Sequence, residues 1–251
     1  MFLSSLEINS KSRVSDIAAM DHRAADVFKK YEIEYCCGGK WPLETVCLMK
    51  GIDISELQKE LKMATRNLQL PSSLSFHDWN VDFLTDYIIN VHHYYLKKTL
   101  PELKLLLDDF VEEHINKYPE LYQLRSSYNK LYKDILPHIL EEEELIFPYI
   151  KQVAHAYENK DSYAALLVKT LRKPVDKLMK KEHEIVNGII FYLRKLTGNY
   201  TTPEKACTSH RVIYSKLKEL DNDLLQHIYL ENNILFPKAL AMEKELLDRS
   251  I

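Results

Sequence analysis

Residues 138–148 read HILEEEELIFP and residues 227–237 read HIYLENNILFP, so one pattern occurs twice in this chain. Each copy places a histidine four residues before a glutamate and a Phe-Pro pair five residues after that glutamate. Side chains four residues apart lie on one face of an α-helix, so each copy presents an imidazole and a carboxylate together. These groups form a donor set suited to iron, manganese or zinc. The repeat therefore predicts two half-sites for metal ions held between helices.

Four segments with the periodicity of an amphipathic helix carry the repeat and its surroundings. Apolar residues recur in steps of three and four, and one histidine interrupts each otherwise apolar stripe: His93, His138, His183 and His227. The second stripe continues through Glu142 to Leu145. Turn-forming residues separate the segments at 116–119, 158–161 and 198–203. We therefore expect an all-α fold, with an antiparallel up-down four-helix bundle behind a small helical N-terminal domain.

The spacing of the four histidines predicts that they share one height in such a bundle. Two positions on successive up-down helices share a height when their midpoint falls in the connecting turn, and each successive pair of these histidines meets this condition closely. Glu142 and Glu231 follow one turn along the same inward stripes. A single histidine on an apolar stripe is usually a hydrogen-bonded core residue. Two buried carboxylates would cost several kcal/mol without cations, however, so we interpret the cluster as a metal site.

The other histidines are assigned away from this cluster. Consecutive helical residues point about 100° apart, so only one of His92 and His93 is expected to face the core, and we choose His93. His114 shares the first stripe but lies about 30 Å further along a straight helix. It is therefore expected at the far end of the bundle. Four more histidines lack a partner at ligand spacing and are predicted to be surface residues: His22, His77, His155 and His210.

The remaining positions of the repeat have simpler interpretations. Proline lacks a backbone donor, so we interpret each Phe-Pro pair as a helix end or a kink. Three further acids of the first copy, Glu141, Glu143 and Glu144, are predicted to form a solvated face, with a role beside the metal ligands open for one of them.

Composition limits the classes of function. The 251 residues carry a net charge of −3, which offers no basic footprint for nucleic acid. A run of about 18 apolar residues is missing from the sequence, so we expect no membrane span. The first twenty residues lack a basic start followed by an apolar stretch, and we expect no signal peptide. The adjacent Cys36 and Cys37 are unlike a disulfide framework and favour a reducing cytoplasm.

A break rich in Pro and Ser divides the chain. It predicts a small N-terminal domain over residues 1–66, a linker over 67–76 and the bundle over 77–251. In the small domain, Pro42 opens a predicted helix that ends at Gly51. Asp53 caps the next helix, with Glu56 three residues later.

The sequence Cys36-Cys37-Gly38-Gly39 precedes that first helix closely. Thiols near a helix N-terminus are stabilised as thiolates, so Cys36 and Cys37 are candidate catalytic thiols. Metal relay, handling of nitrosyl-iron and thiol redox chemistry are open, and so is the alternative of two small buried residues at a tight turn. Cys47 is predicted to lie in the core, and Cys207 is predicted to be structural.

These motifs resemble a known family. The two H-x3-E-x4-F-P repeats, with one histidine on each of the other two helices, resemble the hemerythrin-like cation-binding bundle. The segments YCCGG at 35–39 and KACT at 205–208 resemble the iron–sulfur cluster repair di-iron proteins, the Repair of Iron Centres family of ScdA and YtfE type. The resemblance covers nearly the whole chain. It implies a cytoplasmic, often dimeric protein that acts on iron–sulfur proteins damaged by oxidative or nitrosative stress.

The resemblance also implies a centre of two non-haem iron ions with an oxo or hydroxo bridge. Its ligands would be His93, His138, Glu142, His183, His227 and Glu231, with both glutamates bridging. A further family histidine aligns with His114, in conflict with its predicted height. Three functions stay open: iron donation to damaged iron–sulfur proteins, reduction of nitric oxide to nitrous oxide, and binding or sensing of oxygen or nitric oxide. Whether the protein is an enzyme is open too.

Overall fold

The structure is a computed structural model that describes residues 3–4, 8–36, 39–65, 67–68, 74–171 and 175–248. Its helices are α1 (Val14–Met20), α2 (Arg23–Lys30), α3 (Leu43–Lys50), α4 (Ile54–Ala64), α5 (Val81–Tyr87), α6 (Tyr94–His114), α7 (Leu121–Glu141), α8 (Phe147–Glu158), α9 (Ala164–Leu171), α10 (Val175–Leu196), α11 (Thr208–Leu230) and α12 (Phe236–Asp248). Two short strands, β1 (Leu3–Ser4) and β2 (Asn67–Leu68), pair antiparallel. The predicted all-α fold is confirmed.

Three π-helical turns join α-helices end to end. Ile88–His93 joins α5 to α6, Glu142–Ile146 joins α7 to α8, and Glu231–Leu235 joins α11 to α12. These continuous rods, together with α9 and α10, form the antiparallel bundle, and their connections fall at the predicted turns. Within the described ranges, no helix is long and apolar enough to cross a membrane.

The Phe-Pro pairs do not end their rods, because each pair lies where a π turn passes directly into the next α-helix. The N–H of Phe147 donates to the carbonyl of Glu142, and the N–H of Phe236 donates to the carbonyl of Glu231, five residues back in both cases. The following proline has no N–H and cannot make the next α-type bond. The π turn takes up this missing bond, and the proline then lies in the first turn of α8 or α12, where no donor is needed.

The π turn also shifts the buried stripe by one residue. The α-helical period predicts that Leu145 faces the core, but Leu145 is 49% exposed, whereas Ile146 is only 4% exposed. Because the π turn inserts one extra residue, the stripe moves to Ile146 and continues through Phe147 and Ile150.

Backbone contacts divide the chain into two compact units. One comprises residues 1–74 and 197–218, and the other comprises 75–196 and 219–251. The predicted domains were continuous stretches of sequence. In the structure, residues 197–218 group instead with the N-terminal residues. Residues 69–73 of the predicted linker lie outside the described residues.

The N-terminal unit has its own apolar core and well-formed helix ends. Phe28, Leu43 and Leu57 are fully buried, and each such side chain contributes about 1.5–3 kcal/mol of transfer free energy. The Asp53 carboxylate accepts the N–H groups of Ser55 and Glu56, which confirms the predicted cap of α4. Gly51 ends α3 with a positive φ of 67°, a conformation that glycine adopts without strain.

The bundle unit buries the predicted stripes of its long helices. Leu100 and Leu131 are fully buried, and the hydroxyl of Tyr128 donates to the Leu100 carbonyl at 2.8 Å. Arg194 of α10 donates through Nε to the buried Asp221 carboxylate of α11 at 2.6 Å. This packing holds the four rods side by side, so that side chains from each rod can meet at the bundle centre.

Candidate metal centre

Six side chains from four helical rods meet inside the bundle. Each is at most 4% exposed: His93, His138, Glu142, His183, His227 and Glu231. The Nε2 atoms of His93 and His227 lie 3.0 Å apart, and those of His138 and His183 also lie 3.0 Å apart. The four histidines therefore form two pairs, each drawn from two rods.

Each glutamate turns one oxygen toward each histidine pair. For Glu142, Oε2 lies 3.4 Å from Nε2 of His93, whereas Oε1 lies 3.2 Å from Nε2 of His138. For Glu231, Oε1 lies 2.8 Å from Nε2 of His227, whereas Oε2 lies 3.3 Å from Nε2 of His183. Each histidine pair thus faces two carboxylate oxygens from two different glutamates.

The spacing within each group suits a cation. The donor atoms of each group all lie within 4.8 Å of one another. Metal–ligand bonds of roughly 2.0–2.2 Å place donor atoms on opposite sides of an ion about 4 Å apart. The oxygens of Glu142 and Glu231 are buried without a well-formed hydrogen bond to any described residue. Two buried carboxylates left this way are strongly destabilising, so these residues fit bound cations.

The hydrogen bonds of the histidine rings also indicate that the cluster fits bound cations. Nδ1 of His138 donates to Glu182 at 2.6 Å, and Nδ1 of His183 donates to Oδ1 of Asn232 at 3.0 Å. A neutral imidazole that donates from Nδ1 carries a lone pair on Nε2. Two such lone pairs 3.0 Å apart, beside a carboxylate oxygen, repel each other unless a positive charge lies between them.

The electrostatics of the cluster favour positive charge. Burial lowers the pKa of His93 and of His138, but the neighbouring carboxylates outweigh it and raise the pKa of His93 to about 10 and that of His138 to about 9. Burial raises the pKa of Glu231, but His227 outweighs it and holds that pKa well below its ordinary range. In the same direction, contacts with His138 and His93 lower the pKa of Glu142 against its burial. The carboxylates are therefore anionic and attract cations.

In the first repeat, two further residues hold His93. Glu143, the residue after Glu142, accepts the Nδ1–H of His93 at 2.9 Å, and Lys97 donates to the other oxygen of Glu143 at 2.6 Å. Phe147 stacks on the His93 ring with centroids 5.5 Å apart and planes 17° from parallel. Of the three acids predicted to form a solvated face, with a role beside the ligands left open for one, Glu143 is the one that orients a histidine of the cluster.

The second repeat holds His183 in the same way. Asn232, the residue after Glu231, accepts the Nδ1–H of His183, and Phe236 stacks on its ring at 6.2 Å and 8°. The motif therefore carries four parts: a histidine and a glutamate of the cluster, an acceptor after the glutamate, and a phenylalanine beside the histidine of a neighbouring rod. The last two parts were missed, although their equal spacing in both copies could have indicated them.

Comparison with known proteins agrees with this geometry. The family described as "Hemerythrin HHE cation binding domain" matches residues 85–239. A second family, ScdA_N, described as a domain of unknown function (DUF542), matches residues 10–65. The relative from Enterobacter sp. (strain 638), named iron–sulfur cluster repair protein YtfE, is 34% identical over 224 residues, which cover 88% of this chain and 93% of that protein.

The chain belongs to the iron–sulfur cluster repair protein family. A relative with the same name from Escherichia coli O81 (strain ED1a) is 32% identical over 234 residues, 92% of this chain and 97% of the relative. The similarity thus spans both the N-terminal match and the bundle of this repair-family chain.

The repeat symmetry fails at one position of the repair-family site. Glu182, which precedes the single histidine of α10, holds the histidine of the first repeat. The equivalent position before His93 is His92, whose ring packs 6.0 Å from that of His227. Nδ1 of His92 instead pairs with Asp223 Oδ1 at 2.9 Å, and Nδ1 of His227 is buried without a hydrogen bond to any residue that the structure describes. The two histidine pairs therefore have different surroundings.

His92 also corrects the expectation that only one of two adjacent histidines faces inward. His92 is 1% exposed and His93 is fully buried. Both lie in the π turn Ile88–His93, where the wider turn lets consecutive side chains reach the interior.

Outside the cluster, His77 and His155 are exposed and His114 lies at the far end of α6 as expected, whereas His210 is not where it was expected. His114 lies at the end of α6, where its Nδ1 donates to the Phe110 carbonyl at 2.9 Å, and it belongs to neither donor group. His210 was predicted to lie on the surface but is 1% exposed, with its ring packed on that of Tyr214 at 4.4 Å. Sequence spacing could not show this burial, because α11 packs His210 within the N-terminal unit.

The structure locates one of the two predicted catalytic thiols. Cys36 is partly exposed and forms a hydrogen bond with Cys207 within the N-terminal unit. Cys37 and Gly38 lie outside the described residues. Cys47 is buried as predicted, and burial raises the pKa of its thiol.

Proposed function

We propose that this protein is a non-haem di-iron protein that repairs iron–sulfur clusters damaged by oxidative or nitrosative stress, by donating iron to them. The observation that carries the proposal is the division of the four carboxylate oxygens of Glu142 and Glu231, two to each histidine pair. Each pair with its two oxygens would hold one iron, and both carboxylates would bridge the irons. An oxo or hydroxo bridge would complete the centre.

The choice of iron rests on donor chemistry and on the relatives. Two imidazole nitrogens and two carboxylate oxygens suit ferrous and ferric iron, although the same ligands also accept zinc or manganese. The relatives bear the printed name iron–sulfur cluster repair protein. We extend that role to this chain because the similarity spans most of both proteins.

Iron donation is supported by histidines of the cluster that can take up protons when iron leaves. The carboxylates raise the pKa of His93 to about 10 and that of His138 to about 9, so both rings take up protons at neutral pH when no metal is bound. Proton uptake compensates the buried carboxylates as a cation leaves, which lowers the free-energy cost of release. A site with only four protein donors for each ion also leaves coordination positions open.

The ligand assignment is tested by metal analysis and Mössbauer spectroscopy of the purified protein. We expect two irons for each chain and a magnetically coupled diferric signal. Glu142→Gln or Glu231→Gln should abolish this signal, whereas Glu144→Gln, on the exposed side of the same turn, should leave it intact. A full coupled signal in Glu142→Gln would refute the bridging assignment.

Repair itself is tested with an iron–sulfur enzyme whose cluster has been damaged by peroxide or nitric oxide. We expect the reduced, iron-loaded protein to restore its activity, and Glu231→Gln to lose this ability. Nitrous oxide formed over many turnovers without such restoration would favour the alternative of nitric oxide reduction. Reversible binding of oxygen or nitric oxide, again without restoration, would favour a carrier or sensor.

We further propose that the protein acts in the cytoplasm as a homodimer on damaged iron–sulfur proteins. The reducing compartment would keep Cys36 and Cys207 as thiols between reactions. Light scattering after size-exclusion chromatography tests the dimer, and a mass equal to one chain at micromolar concentration would refute it.

A further inference from the structure

The thiol of Cys207 is held by several hydrogen bonds. It directly precedes α11, and its sulfur accepts the backbone N–H groups of Ser209 and His210 in the first turn of that helix. The same sulfur forms a hydrogen bond with Cys36. The two cysteines are distant in sequence, yet both belong to the N-terminal unit, and both are partly exposed.

The chain that follows Cys36 is anchored to the start of α1 at Gly39 and Trp41. The carbonyl of Gly39 accepts the N–H of Ser15 at 2.9 Å, and the carbonyl of Trp41 accepts the N–H of Val14 at 3.3 Å. A side chain at Gly39 would collide with the carbonyl of Tyr35, so only glycine lets the chain close this tightly. These contacts hold Gly39 against α1 and place the Tyr35 carbonyl close to Gly39, within the unit that also contains Cys36 and Cys207.

We propose that Cys36 and Cys207 form a reversible redox pair that reacts with low-molecular-weight disulfides, and that Cys207 is the disulfide partner of Cys36 in place of Cys37. A disulfide needs Cα atoms about 4.4–6.8 Å apart, whereas neighbouring residues joined by a trans peptide are only about 3.8 Å apart. A bond between adjacent cysteines is therefore strained. Cys36 and Cys207 are not neighbours in sequence, and their sulfurs are already in contact.

The arrangement assigns different roles to the two thiols. The hydrogen bond with Cys36 and burial raise the pKa of Cys207, so Cys207 is the protonated partner and donates its S–H to the Cys36 sulfur. Cys36, on the partly exposed loop, attacks the incoming disulfide. Cys207 then resolves the mixed disulfide, and the N–H groups of Ser209 and His210 stabilise its thiolate as the proton leaves.

The reaction balances as a two-electron exchange. The Cys36 thiolate attacks one sulfur of glutathione disulfide, which breaks that S–S bond and releases one glutathione thiolate. The Cys207 thiolate then attacks the Cys36 sulfur of the mixed disulfide and releases the second glutathione. The protein loses two thiol hydrogens and two electrons, glutathione disulfide is reduced to two glutathione molecules, and excess thiol reverses both steps.

The test is disulfide mapping on the full chain. The reduced protein is incubated anaerobically with glutathione disulfide, the remaining thiols are alkylated, and peptides are analysed by mass spectrometry without reduction. We expect a cross-linked peptide pair containing Cys36 and Cys207, lighter by two hydrogens than the separate peptides. Dithiothreitol should remove the cross-link.

Single variants separate the roles of the cysteines. Cys37→Ser and the buried Cys47→Ser should each keep the cross-link. Cys207→Ser should instead trap Cys36 as a stable mixed disulfide with glutathione. A Cys36–Cys37 bond in the wild-type protein, or a wild-type protein that gains no Cys36–Cys207 bond while its helical circular dichroism is unchanged, would overturn the proposal.

Discussion

Glu143 Oε1 lies 2.9 Å from Nδ1 of His93 and accepts the hydrogen bond of its N–H, which turns Nε2 of His93 toward Glu142 and Glu231. Acceptors of this kind fix the tautomer of a metal-binding histidine, and their loss lowers metal affinity by about 10–100-fold. We expect Glu143→Ala to weaken metal binding by this order, measured by competition with a chelator. Glu144→Ala removes an exposed acid of the same turn and should change affinity less than about twofold. Equal effects of both substitutions would remove the role assigned to Glu143.

The affinity for metal should rise with pH. In the metal-free site the carboxylates raise the pKa of His93 to about 10 and that of His138 to about 9. A metal ion must displace these protons, so apparent affinity should rise with pH up to those values and level off above them. Each of the two ions displaces one of these protons, so the logarithm of the affinity for each ion should rise by about one unit for each pH unit. Chelator competition between pH 7 and 9 measures the slope, and a flat profile would contradict it.

Metal removal should destabilise the fold, because the cations compensate buried carboxylates. A ligand present at about 100 times its dissociation constant stabilises the native state by about 2.7 kcal/mol. We expect chelation to lower the Tm by several degrees, measured by calorimetry at fixed protein concentration. Glu231→Gln removes one buried charge and should make the Tm insensitive to added iron. A Glu231→Gln protein that keeps the full metal-dependent shift would show that the cation binds elsewhere.

The packing of Phe147 against His93 should contribute measurably to the free energy of unfolding. Phe147 is 1% exposed, and truncating such a residue to alanine costs about 3–5 kcal/mol. Phe191 is 68% exposed, and Phe191→Ala should stay within about 0.5 kcal/mol of the wild-type free energy of unfolding. Urea unfolding of the metal-free proteins measures both. If the two variants lose the same stability, the packing of Phe147 is not what the structure indicates.

Alanine substitutions at Gly39 and at Gly188 should change the stability of the protein in opposite directions. At Gly39 the added methyl group would collide with the Tyr35 carbonyl, so Gly39→Ala should destabilise the N-terminal unit. At Gly188, inside α10, nothing lies within 4 Å of the added atom. Gly188→Ala should therefore stabilise the protein by about 0.5–1 kcal/mol through helix propensity. Thermal unfolding of both variants tests the pair, and a stabilised Gly39→Ala would contradict the close approach.

The bundle and the meeting of its inward histidines were predictable because both follow from α-helical period and turn position. Features that break the α period were not predictable in this way. The π turn Ile88–His93 buries His92 beside His93, and the π turn after Glu142 exposes Leu145 in place of Ile146. The turns at Glu142 and Glu231 accommodate the missing N–H of Pro148 and Pro237, but no proline lies close behind Ile88–His93, so the sequence has no common signal for all three turns.

Contacts between segments that are distant in the chain also could not be predicted from the sequence. Cys207 was predicted to be structural from its place near the start of the fourth long helix. Its partner Cys36 reaches it only because residues 197–218 fold with the N-terminal unit. The burial of His210 has the same origin. Spacing arguments work along a helix, whereas these positions depend on which segments share a unit.

The inserted residue in the two rods that carry Glu142 and Glu231 has a consequence for how such a protein can change. An uninterrupted α-helix would lock the direction of Glu142 to that of Ile150, so a change of packing at one end would rotate the other. The π turn instead adds a fixed offset of about 100° between the side chains of the cluster and those of the apolar end formed by α8 and α12. Deleting a single residue within Glu142–Ile146 would remove this offset and turn the following side chains by about 100°. The length of each copy of the repeat is therefore constrained, because one residue more or less would point the cluster and the apolar end in incompatible directions.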